Sequence, residues 1–142
     1  MNQKSLIPNI TEHIFFVITL IATTNWLKRP DWNFAFGLLS YYMMKSLVKI
    51  TDSKEARDVI KMLIYLNIAL IVFDLVWIFT MGGVWHGKPT HDKMIWEGFS
   101  SLHSYIITMS VIIVILRIVA IVMLFFQMSS AGDSDNPKRG SR

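Results

Sequence analysis

The chain has 142 residues, of which 53% are hydrophobic, 13% aromatic and only 17% charged, and its mean hydropathy is positive. That balance excludes an ordinary soluble domain and leaves room for about four membrane spans and little else. The net charge of +4 is no sign of nucleic acid, because the basic residues lie between and after apolar runs instead of forming one patch interleaved with aromatics. With no cysteine, disulfides, thiolate metal sites and cysteine nucleophiles are ruled out, and the redox compartment stays open.

Apolar stretches at 10–27, 32–50, 62–81 and 99–128 predict an all-α, polytopic membrane protein. The expected architecture is a bundle of four transmembrane helices filling residues 1–128, followed by a short disordered polar tail at 129–142. In the first stretch, Lys4 before the run Ile14 to Ala22 has the outline of a signal peptide. However, Glu12 and His13 precede the run and Thr23 to Trp26 make a poor cleavage site, so a retained span is expected. The absence of Arg and the presence of Glu12 also argue against a transit peptide. The sequon Asn9-Ile10-Thr11 falls on the side expected to be cytosolic and is read as accidental.

Lys28, Arg29, Pro30 and Asp31 are too few for anything but a tight hairpin between the first two spans. The second span is the shortest, since only Trp32 to Met44 is free of charge. It reaches spanning length if Lys45 and Lys49 lay their stems along the helix and lift their ammonium groups to the headgroups. The alternative is a pair of segments that dips into the bilayer and returns. Asp52 followed by Glu55 resembles a capping box that starts the helix feeding the third span. Gly82, Gly83, Gly87 and Pro89 predict a loop from Gly82 to Glu97.

Orientation follows from Lys and Arg beside the spans. One face would carry Lys4, Lys45, Lys49, Lys54, Arg57, Lys61, Lys138, Arg139 and Arg142, and the other Lys28, Arg29, Lys88 and Lys93. By the positive-inside rule both termini face the cytosol, or the matrix if the membrane is the mitochondrial inner one. Trp26, Trp32, Trp85 and Trp96 then fall at the opposite interface, where indole rings settle.

Two ionisable residues sit deep in apolar runs: Asp74 in the third span and Arg117 in the fourth. Each costs roughly 2.5–3.5 kcal/mol on the insertion scale and needs a partner or a job. Polar residues recur at heptad spacing on one face of each span: Glu12 and Thr19, Asn33 and Ser40, Asn67 and Asp74, and His103, Ser110 and Arg117. The favoured expectation is a structural ion pair between Asp74 and Arg117, supported by a polar seam of Glu12, Asn33, Asn67 and His103. The alternatives are an Arg117 that meets Glu12 or backbone carbonyls, and a proton or ion pathway through Asp74.

His86, His91, Asp92, Glu97 and His103 cluster in sequence, but no standard zinc spacing appears. Haem ligation by His13 and His103 is excluded by their placement at opposite faces. Nucleophile motifs and glycine-rich phosphate loops are absent, so no enzyme, metal or cofactor is expected.

Trp32-Asn33-Phe34 opening the second span, Asp52-Ser53 before a helix, Val72-Phe73-Asp74-Leu75-Val76-Trp77-Ile78, and Val114-Ile115-Leu116-Arg117 follow one another in a telling order. The chain resembles, over residues 10–127, the angiotensin II type-1 receptor-associated protein family. That family has an aromatic-Asn-Phe element, an acidic and serine-containing connector, a Leu-Asp-Ile-Val-x-Ile element and a deep basic residue in this order. The resemblance implies a small non-enzymatic adaptor of the endomembrane system or plasma membrane. Its partners would be membrane lipids and a seven-helix receptor, whose trafficking or signalling it modulates. Family members bind the receptor through a longer cytosolic tail, whereas 14 residues follow Met128 here. Other classes remain: an accessory structural subunit of a large membrane assembly, such as a respiratory complex, or a transporter or channel component. Four spans are few for a repeat-built transporter, which would then need an oligomer.

Overall fold

The structure, a computed structural model, describes residues 3–25, 32–47, 49–50, 52–86 and 100–132. These are all-helical, with α1 at Gln3–Asn25, α2 at Trp32–Leu47, α3 at Ser53–His86 and α4 at Ser100–Gly132. Within α3 and α4, Lys54–Trp85 and Ser101–Ser129 are long and apolar enough to cross a membrane. The 16 residues of α2 rise only about 24 Å, short of a hydrocarbon core of about 30 Å. The hairpin at Lys28 to Asp31, all of the expected loop after His86 and the tail from residue 133 lie outside the described residues.

Local chemistry sets the helix ends. The Asp52 carboxylate accepts the Lys54 backbone N–H at 2.8 Å and its carbonyl accepts the Ala56 N–H at 3.0 Å, so Asp52 caps α3 as its spacing predicted. Glu55 in the first turn complements the helix dipole. At the far end of α2 the backbone tightens. Lys49 and Ile50 donate to the carbonyls of Ser46 and Leu47 at 2.9 and 3.2 Å, closing the helix at Leu47 instead of Ile50. Val48, Ile50 and Thr51 are β-branched and weak helix formers, which favours stopping there.

The loop expected from Gly82 begins later. α3 continues through Gly82 and Gly83 to His86, with no positive φ at any described glycine. A helical glycine costs about 1 kcal/mol but forbids nothing. Here Trp85 anchors the extra turn, stacked on His103 of α4 at 4.2 Å and edge-on to Trp77 at 5.6 Å.

α1 packs on α2 and α4, α4 packs on α3, and α2 meets α3 much less extensively. The apolar core joins Phe15, Ile18 and Ala22 of α1, Met44 of α2, Leu63 and Ile64 of α3, and Ile113, Ala120 and Leu124 of α4. α1 and α2 come close because Gly37 faces Thr19: a Cβ at Gly37 would lie 2.7 Å from Thr19 Oγ1. α1 and α4 are pinned at two levels, where Gln127 Nε2 donates to Thr11 Oγ1 at 2.8 Å and the Tyr105 hydroxyl donates to Thr24 Oγ1 at 3.2 Å.

Candidate functional site

The heptad polar positions turn inward. Thr19, Asn33, Ser40, Asn67, Asp74, His103, Ser110 and Arg117 are all buried. Glu12 is the exception and corrects the expected seam, because it is only half-buried on α1 while its neighbour Thr11 is fully buried. One residue is a 100° step on a helix, enough to move a side chain off the inner face.

At mid-bundle three helices meet on one guanidinium. Arg117, 0% exposed, donates from Nη1 to Asn67 Oδ1 at 2.6 Å and from Nη2 to Asn33 Oδ1 at 2.8 Å. Its Nε lies 3.7 Å from Asp74 Oδ2, an ion pair longer than a hydrogen bond. Asn33 Nδ2 donates to Asp74 Oδ1 at 2.9 Å, and Asn67 Nδ2 donates to the Leu63 carbonyl at 2.8 Å. Asp74 and Arg117 are therefore brought together, as the favoured expectation had it. The shortest bonds of Arg117, however, go to the two asparagine amides, which the sequence marked only as supporting residues.

The orientation of each amide follows from its neighbours. Each carbonyl oxygen faces the guanidinium, so each NH₂ must find an acceptor elsewhere: Asp74 for Asn33 and the Leu63 carbonyl for Asn67. Arg117 reaches both Asn67 and Asp74, which lie two turns apart on α3. Ion pair and amides together form a neutral unit tying α2, α3 and α4.

His103 is buried at the other end of the seam, stacked on Trp85. Among the described residues, the buried hydroxyls of Ser40 and Ser110 and the carboxamide of Asn25 have no hydrogen-bond partner. The acidic and histidine residues weighed for zinc, His91, Asp92 and Glu97, lie outside the described residues, as does the side chain of His86. Beside the cluster, α2 and α3 diverge to leave a cleft of about 620 Å³ that reaches Asn33 and Asp74. No protein-family model, curated protein or solved structure matches this chain.

Proposed function

We propose that this protein is a four-span integral membrane adaptor with both termini on the cytosolic face, binding another integral membrane protein and performing no chemistry of its own. The observation that carries this reading is how Arg117 is engaged: its donors rest on fixed acceptors from two neighbouring helices and its charge is balanced by Asp74. A group held this way sets helix register. A proton carrier or catalytic acid would instead have to change partners during its cycle. With Arg117, Asp74, Asn33 and Asn67 engaged with one another, the exposed apolar helix surfaces are left for lipid and partner. The resemblance to the angiotensin II type-1 receptor-associated protein family supplies the class of partner, a seven-helix receptor in an endomembrane or the plasma membrane.

The test is purification of tagged protein from its own membrane in mild detergent after brief crosslinking, together with its location in the cell. Enrichment of a seven-helix receptor from endosomal, Golgi or plasma membrane supports the adaptor. Stoichiometric recovery in a multisubunit assembly of the mitochondrial inner membrane overturns it in favour of an accessory subunit. Topology has its own measurement: tags at Met1 and after Arg142 are expected to label from the cytosolic face, and Lys88 or Lys93 from the other. Labelling of the two termini on opposite sides would sink the four-span arrangement.

A further inference from the structure

We propose that the cleft between α2 and α3 is a binding site for a sterol, its flat ring system lying along α3 and its hydroxyl at Asn33 and Asp74. The proposal needs the chain to be in a bilayer, as proposed above, but does not depend on the adaptor role.

Size comes first. At about 620 Å³ the cleft falls within the range of small-molecule sites, which are mostly apolar with a few placed polar groups. It follows α3 from Leu66 to Met81, roughly 22 Å at 1.5 Å per residue. Its mean free width is then about 9 Å once the radius of a water molecule is added on each side, against roughly 10–12 Å for a helix with its side chains. A partner's transmembrane helix is too thick to enter, whereas a thin, elongated body fits.

Charge decides what that body carries. The polar side chains of the lining are Asn33 and Asp74, both almost completely buried, and the exposed Thr80, whose hydroxyl already donates to the Val76 carbonyl at 2.8 Å; the charge of Asp74 is balanced by Arg117. A phosphate or ammonium headgroup would have to shed its water here with no counter-charge left over. A hydroxyl brings no charge. It can donate to the Asp74 carboxylate, which has four lone-pair sites, and accept in turn. Trp32, Phe36, Phe73 and Trp77 supply flat aromatic walls on both helices, suited to a rigid ring system more than to flexible chains.

The test uses the full chain reconstituted in phosphatidylcholine vesicles containing a photoreactive, clickable sterol. Label is expected on Trp32–Phe36 and Leu66–Met81. Unlabelled sterol should compete it away, while added diacylglycerol or more phosphatidylcholine should not. Ala69 lines the cleft, and Ala69→Trp should reduce labelling to background. Val72 is exposed on α3 and is not part of the lining, so Val72→Trp should leave labelling unchanged. Label spread over the exposed Phe125 and Phe126 of α4, equal competition by diacylglycerol, or a crosslink to a second copy each overturns the proposal, and the competition series on the unaltered chain decides this whether or not the variants fold. A chain that does not float with the vesicles removes the membrane reading and the sterol site together. A chain that floats but labels elsewhere removes only the sterol site.

Discussion

The two sides of α2 are held in different ways. Toward α1 it is sealed by close approach, with Gly37 against Thr19. Toward α3 a cleft lined by Trp32, Phe36, Phe73 and Trp77 opens between the helices, and Asn33 bridges them through its bonds to Asp74 and, on α4, to Arg117. In a bilayer, lipid tails satisfy apolar side chains as well as a neighbouring helix does, so association depends on tight packing and interhelical hydrogen bonds. α2 uses one device on each side. The side held by hydrogen bonds is the one left with a cleft.

The most damaging way to break this arrangement is to remove the guanidinium. Arg117→Leu leaves the Asp74 charge buried and takes the donor from both Asn33 and Asn67, and losing one partner of a buried pair costs about 3–5 kcal/mol. We expect a large fall in the yield of monodisperse protein and in its thermal midpoint in detergent. Adding Asp74→Asn should recover the part due to the stranded charge but not the part due to the two amide oxygens, so recovery is expected to be incomplete. Full recovery would mean the amides contribute nothing. No recovery would mean the charges do not interact.

The hydrogen-bonded side was partly legible in the sequence, whereas nothing there singled out Gly37. Asp74 and Arg117 stood out because a charge inside an apolar run has few explanations, and heptad spacing placed Asn33, Asn67 and His103 on inner faces. Spacing gives a residue's angle around its own helix and says nothing of which neighbour stands opposite, so the asparagines could be named without showing that they hold the shortest bonds to Arg117. For α1 the most polar residue, Glu12, drew the inference, while helix phase chose Thr11. The cleft was not legible at all. Its aromatic walls come from two helices, Trp32 and Phe36 standing 37 to 45 positions from Phe73 and Trp77, and no local pattern records such a pairing.

The packed side of α2 can be broken with one methyl group. In Gly37→Ala the new Cβ would lie 2.7 Å from Thr19 Oγ1, so the helices must part or the threonine must leave its bond to the Phe15 carbonyl. Overpacking of this kind costs about 1–3 kcal/mol. Because the clash is with one side-chain atom, Thr19→Ala in the same chain should restore most of the loss, and a double-mutant cycle on thermal midpoints measures that coupling. Simple additivity of the two losses would show that this contact does not set the spacing of α1 and α2.

The smallest effect sharpens the comparison just beyond the cleft, whose α3 lining ends at Met81. Gly82 and Gly83 lie in helix, not in the loop that their composition signals, and a Cβ at either position would meet nothing within 4 Å. Gly83→Ala should therefore stabilise, by about 0.4–1 kcal/mol, mainly by restricting the unfolded chain. The same change should slow amide hydrogen exchange at Val84 and Trp85, since a better helix former raises the cost of opening the last turn. The Trp85 ring, stacked on His103, should keep its environment, visible as unchanged tryptophan near-ultraviolet dichroism. A destabilised protein, or exchange at Val84 and Trp85 as fast as in an open loop, would mean that α3 ends at Met81. Trp85 would then have no helical turn to hold it against His103.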